Sequence, residues 1–154
     1  MNEKQAKQTD LATNRRAFHD YEVLETFEAG IVLQGTEIKS LRNHGGSIQE
    51  AYVKVITNEV FLIGANIAPY SFGSIYNHEE KRDRKLLLHH REIAKLRSSV
   101  QEKGLTLVPL ALYLKKGRVK IKIALARGKK LMDKRAAIKE RDEKRDIQKA
   151  MKNA

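Results

Sequence analysis

Residues 105–126 read LTLVPLALYLKKGRVKIKIALA, from Leu105 to Ala126. Two apolar runs, Leu105–Leu114 and Arg118–Ala126, flank Lys115-Lys116-Gly117. A short glycine-bearing break between two such runs predicts an antiparallel hairpin. In the second run Val119, Ile121, Ile123 and Leu125 alternate with Lys120 and Lys122. Side chains on a strand alternate between its two faces. One face of this hairpin is therefore expected to enter a core, and a lysine row stands on the outside of a sheet.

Working outward from the hairpin, Ile93, Leu96 and Val100 recur at helical spacing between His90 and Lys103, and Gly104 is placed to stop that helix. Tyr52–Thr57 and Val60–Ile67 predict a second hairpin turning at Asn58-Glu59. Phe18–Leu33 reads as a long strand, within which Ala29-Gly30 marks a bulge or a close approach of another chain segment. Gly35 breaks it, and Thr36 is placed to cap a short helix through Arg42. Ile38 and Leu41 share one side of that helix, with Lys39 and Arg42 on the other. Asn43–Gly46 and the longer Pro69–Arg84, with Tyr70, Phe72 and Tyr76, read as loops. Such a strand-rich set, with two helices, predicts a mainly β fold: a small closed or partly closed barrel.

The chain of 154 residues divides into a polar, flexible start (1–13), a folded body (14–126) and a basic tail (127–154). The tail holds 11 Lys/Arg and 5 Asp/Glu, half of the net charge of +12. Its only large apolar residues are Leu131, Met132, Ile138, Ile147 and Met151. So few cannot offset the entropy of ordering, although the segment is rich in helix formers. It is expected to be disordered when free and to order on an acidic partner, RNA before all others. Cysteine is absent, which excludes disulfide frameworks and thiolate metal sites. The start has no apolar signal segment, and the longest apolar run falls short of the roughly 20 residues of a membrane helix. A soluble, cytoplasmic protein that binds no membrane is expected.

Motifs for catalysis are missing: there is no H-E-x-x-H, phosphate-binding loop, G-x-G-x-x-G or G-x-S-x-G. The five histidines are scattered, so no metal or other cofactor is expected, and no enzyme. Basic clusters are plentiful: Arg15-Arg16, Lys81-Arg82 with Arg84-Lys85, and Lys115-Lys116 with Arg118, Lys120 and Lys122. Several such clusters around a small barrel point to nucleic acid held across a strand face and its loops. Tyr21, Tyr52, Tyr70, Phe72 and Tyr76 are candidates to stack on bases, though Tyr52 fits core packing equally well. His19 reads first as a local hydrogen-bonding residue; beside Arg15, Arg16 and Tyr21 it is also placed to meet a phosphate or base edge. Glu28 either pairs with a lysine or accepts hydrogen bonds from base amino groups or a ribose hydroxyl. A generic basic ribosomal or RNA-chaperone protein is the alternative reading.

Four longer motifs stand in order: EAGIVLQGTEIKSLR (Glu28–Arg42), RKLLLHHREI (Arg84–Ile93), KGLTLVPLALY (Lys103–Tyr113) and GKKLMDKR (Gly128–Arg135). Together they resemble the small protein B family, the partners of transfer-messenger RNA in bacterial ribosome rescue. The resemblance implies a six-stranded oligonucleotide-binding-type barrel with accessory helices and no catalysis. It implies that the body binds the transfer-RNA-like domain, that elongation factor Tu delivers the aminoacylated complex, and that the tail becomes helical in the empty messenger channel of the ribosome. By matching position it implies RNA-binding roles for Glu28, Leu87, Lys120, His19, Tyr21 and Tyr52. The lysine row adds Lys122, and the basic clusters add Arg84 and Lys85. In the tail Gly128, Lys129, Lys130, Asp133, Lys134 and Arg135 match the segment acting in the decoding centre. Met132 stands where the family often carries His or Tyr, and the loop Asn77–Asp83 lacks an expected proline.

Overall fold

The computed structural model describes residues 9–72 and 77–129. In chain order these form β1 (Thr9–Thr13), α1 (Arg16–Asp20), β2 (Tyr21–Ile31), α2 (Gly35–Arg42), β3 (Gly46–Ser47), β4 (Tyr52–Ile56), β5 (Glu59–Ile63), β6 (Asn66–Ile67), β7 (Arg84–Leu87), α3 (His90–Lys103), β8 (Thr106–Lys115) and β9 (Arg118–Gly128).

The decisive hairpin forms as its pattern dictates. Lys115 pairs with Arg118 around Lys116 and Gly117, whose φ values of 52° and 78° give the two left-handed residues of a tight hairpin turn. Ile121, Ile123 and Leu125 are buried on one face. The even positions of β9 face outward. The partner strand carries a shift that its sequence hides: register slips between Pro109 and Ala111. Inward burial passes from Leu107 to Leu112 across the slip, while Val108 and Leu110 join a second cluster with Ala17, Ala124 and Ala126. Proline has no N–H to give to a ladder, so a bulge is where it fits. The carbonyl of Pro109 is met by the Asn14 side-chain amide at 2.9 Å, and that of Leu110 by the Asn14 backbone N–H at 2.8 Å.

A seven-stranded antiparallel sheet runs β1-β8-β9-β2-β7-β5-β4. It curls until β4 lies against β8, closing a barrel of six strands, β8-β9-β2-β7-β5-β4, with α3 packed on β4 and β8. The core holds Leu41, Ile48, Leu62, Ile67, Leu86, Leu96, Leu112, Ile121 and Ile123, all with almost no exposure. The expected mainly β, six-stranded barrel is thus present, and β1 adds a seventh strand to the sheet outside the ring.

That extra strand corrects the flexible start. Thr9–Thr13 pairs with Leu114–Ala111, because the second half of β8 would otherwise present an open edge, and Leu11 is buried there. The body also runs beyond residue 126, since Gly128 still pairs with Tyr21. Phe18–Asp20 belongs to α1 and not to the first strand. The second hairpin is shorter than expected and turns at Thr57-Asn58; Asn66-Ile67 leaves it to pair with Gly46-Ser47. Helix α2 is capped by Gln34, whose backbone N–H donates to Glu37 Oε1 at 2.7 Å. Thr36 instead meets His78 Nδ1 at 2.9 Å. Helix α3 has the predicted bounds, and Gly104 ends it with φ 65°.

Candidate nucleic-acid interface

Antiparallel register assembles the outer face of the sheet. Gly30 of β2 lies between Leu87 of β7 and Lys120 of β9, and Glu28 lies across from Lys122. Register partners in a sheet share a face, so Glu28, Leu87, Lys120 and Lys122 form one patch drawn from three strands. Lys85, two residues before Leu87, is exposed on the same face and sits 3.9 Å from Glu59. Gly30 eases the approach of the strands: a Cβ there would stand 3.3 Å from Leu87 Cβ, a tight contact. The close approach expected at Ala29-Gly30 is this contact, whereas the bulge of β2 lies between Val23 and Glu25. Beside the patch, Gly30, Ile31, Leu87, Val119 and Lys120 line part of a cleft of about 280 Å³ with an apolar floor.

Leu87 is 53% exposed, an apolar side chain left among cations. Glu28 is held from behind. The Tyr113 hydroxyl donates to its Oε2 at 2.6 Å, and the Lys115 ammonium reaches Oε2 at 3.2 Å and Oε1 at 3.3 Å. The Tyr113 bond, aided by Lys115 and Lys120 and outweighing partial burial, keeps the Glu28 carboxyl below the ordinary carboxylate range. Burial, then the Glu28 charge, pushes Tyr113 well above an ordinary phenol. The pair is therefore a neutral donor and an ionised acceptor across the physiological range.

A second group lies around α1. Tyr21 and Tyr52 line a common cleft of about 380 Å³ with Arg16, Asp20 and Glu50. Tyr52 is 49% exposed, which decides against core packing for it. His19 is exposed on α1, with Nδ1 3.0 Å from Asp20 Oδ1. Lys129, the last described residue, ties the end of β9 to this helix: its N–H donates to Asp20 O at 3.0 Å and its ammonium to Phe18 O at 3.2 Å. Tyr70 and Phe72 contact each other edge to face, and Lys39 lies 5.6 Å from the Tyr70 ring centre. Tyr76, Lys130, Met132, Asp133, Lys134 and Arg135 lie outside the described residues.

Arg84 corrects the sequence reading. It has no exposure and cannot meet an external phosphate. Alternation on β7 turns it inward while Lys85 turns out. Its Nε donates to Glu37 Oε2 at 2.6 Å, and its terminal nitrogens to the carbonyls of Ala65, Glu79 and Glu80 at 2.9, 3.3 and 3.1 Å. Arg82 donates to Glu37 Oε1 at 2.7 Å. Burial alone would raise the Glu37 carboxyl, but bonds from Arg82, Gln34 and Arg84 outweigh it and hold it below its ordinary value. Sequence reasoning also missed Tyr113. Its signal was present, since counting back from the Lys116-Gly117 turn sets Tyr113 opposite Lys120, on the lysine face.

Known proteins match this chain closely. Residues 11–153 match the family model described as SmpB protein. The SsrA-binding protein of Protochlamydia amoebophila (strain UWE25) is 68% identical over 146 residues, 95% of each chain. The SsrA-binding protein of Chlamydia muridarum is 56% identical, over 94% of this chain and 96% of that protein. A solved structure, "tmRNA-SmpB: a journey to the center of the bacterial ribosome", superposes with a TM-score of 0.64 at 46% identity, covering 82% of this chain and 92% of that one. With the barrel, the outer patch and these relatives in hand, the chain belongs to the SmpB protein family.

Proposed function

We propose that this chain is a binding protein, not an enzyme, that holds transfer-messenger RNA and brings it to stalled bacterial ribosomes in the cytoplasm. The observation that carries the reading is the convergence of Glu28, Leu87 and Lys120 from three strands around Gly30. Cations there attract phosphate, Leu87 offers an apolar surface to a ribose or base, and Glu28 accepts from an N–H or a 2′-hydroxyl. His19, Tyr21 and Tyr52 extend the contact, Lys85 and Lys122 add charge, and the ligand is the transfer-RNA-like domain. The relatives' name, SsrA-binding protein, and the solved tmRNA-SmpB structure support this reading. Elongation factor Tu meets the protein through the aminoacylated RNA. The tail, from Gly128, Lys129 and Lys130 through Met132 and Asp133-Lys134-Arg135, works in the decoding centre and the empty messenger channel.

The test is binding of the full chain to transcribed transfer-messenger RNA across a salt series, with bulk transfer RNA as competitor. Each phosphate contact is expected to add about 0.7–0.9 to the slope of log K against log salt. Removing 131–154 is expected to leave this binding intact and to abolish rescue of stalled ribosomes. Equal loss of both activities, or equal affinity for bulk transfer RNA, refutes the reading.

A further inference from the structure

We propose that Tyr113 is the positioning residue of the RNA site: its buried hydroxyl fixes the Glu28 carboxylate in the one orientation from which it accepts a hydrogen bond from the RNA. The inference rests on the RNA-binding reading of Glu28. A carboxylate has no donor, so in an RNA interface it repels phosphate and serves only where it meets an N–H or a 2′-hydroxyl. Such a bond needs a carboxylate that is ionised, fixed and still open on one side.

Tyr113 supplies the first two conditions. Its ring is fully buried, so the phenol oxygen is a fixed point of the barrel. From there it reaches Glu28 Oε2 at 2.6 Å, the short distance of a hydrogen bond to a charged acceptor. Lys115 cannot do this work. It touches both oxygens loosely, at 3.2 and 3.3 Å, on a side chain 46% exposed, and is free to move to a phosphate. The third condition is met because the Glu28 side chain stays 39% exposed. The groups that face the pair are Lys115 on β8, Lys120 and Lys122 on β9, and Asp10, the register partner of Tyr113 on β1. Lys115 and Lys120 favour the ionised Glu28, and Asp10 favours the neutral phenol.

The experiment is a double-mutant cycle in the full chain, with transcribed transfer-messenger RNA as the probe. Tyr113→Phe keeps the ring and removes the donor. It is expected to weaken binding about tenfold, and Glu28→Gln at least as much. The double variant is expected to bind within about twofold of Glu28→Gln alone. In carboxyl-carbon NMR titrations of the free protein, Glu28 of Tyr113→Phe titrates nearer the ordinary carboxylate pH. Acidification therefore weakens RNA binding at a higher pH in that variant than in the native chain, a shift that Glu28→Gln lacks. Multiplicative losses in the double variant, or native affinity in Tyr113→Phe, overturn the positioning role. Native affinity in Glu28→Gln overturns the RNA-site reading itself. Should Tyr113→Phe melt early, Glu28→Asp carries the test: the charge remains, but the shorter arm cannot reach Tyr113 and the RNA together. It is expected to bind as weakly as Glu28→Gln, and native affinity there overturns the proposal.

Discussion

Glu37→Gln is expected to cost about 3–5 kcal/mol of folding stability, because it strands a buried arginine. Neither Glu37 nor Arg84 has any side-chain exposure. The native carboxylate receives three donors, Arg84 Nε at 2.6 Å and both Arg82 and the Gln34 N–H at 2.7 Å. A glutamine of the same shape still serves Arg82 and Gln34 with its oxygen. Its NH2, however, faces the Arg84 Nε–H, donor against donor. Arg84 keeps the carbonyls of Ala65, Glu79 and Glu80 but loses the fully buried counter-charge of Glu37. Small domains are stable by about 5–15 kcal/mol, so the loss takes a large share of the whole. At about 2–4 °C per kcal/mol for a chain of this size, the melting point falls by about 6–20 °C. Calorimetry of the full chain measures it. The pH dependence has a definite sign. Glu37 titrates below its ordinary value of 4.5 when folded, so its contribution is complete above that pH and is lost as pH falls through the lower, folded value. Native protein therefore loses more stability on acidification than Glu37→Gln does, by the share that Glu37 contributes. Replacing both partners, as Glu37→Leu with Arg84→Met, recovers part of the loss, but the three carbonyls still want donors. A melting point within about 2 °C of native in Glu37→Gln refutes the reasoning, as that is less than 1 kcal/mol on the same scale. RNA affinity per folded molecule stays native throughout, because Arg84 lies in the core and not on the patch.

Lys120→Gln and Lys122→Gln are each expected to reduce the slope of log K against log salt by about one phosphate contact, with little change in melting point. An unchanged slope removes that lysine from the interface. Gly64→Ala is expected to destabilise the fold by about 1–2 kcal/mol without touching RNA affinity. Its φ is +81°, and a Cβ would stand 3.2 Å from the carbonyl oxygen of Glu50. Urea titration of both chains reads the difference.

Periodicity made the barrel legible where strands are long and two-sided. The alternation of Val119, Ile121, Ile123 and Leu125 with Lys120 and Lys122 gave β9 its faces, and Gly104 gave α3 its end. Thr9–Thr13 was hidden because an edge strand of five residues with one buried leucine resembles any polar start. Its order comes from the open edge of β8, a tertiary cause without a local signature. Asn66-Ile67 left its hairpin for another tertiary pairing, with Gly46-Ser47. The patch itself was legible in part. Family likeness pointed to Glu28, Leu87 and Lys120, but only register shows that they meet around Gly30. Arg84 was misread because charge suggests a surface. One step of alternation separates it from Lys85 and reverses its role.

The even positions of β9 show how one strand serves two neighbours. Lys120 and Lys122 come first and are half-buried on the outer face; Ala124 and Ala126 follow, fully buried beneath Ala17 of α1. The change from long to small side chains marks where the helix comes down, because a lysine at 124 would hold α1 off the sheet. The same strand ends at Gly128, and Lys129 follows it with two hydrogen bonds that satisfy carbonyls at the end of α1. Such carbonyls have no partner within the helix, and a cation beside them is favourable. The patch, the helix carrying His19 and the start of the tail are therefore fixed to one another through β9. On the proposed function this rigidity has a use. A tail that must enter the messenger channel while the body holds RNA needs a point of departure with a set direction. Lys129 supplies that point by binding α1, so on this reading it serves the body of the protein as well as the ribosome.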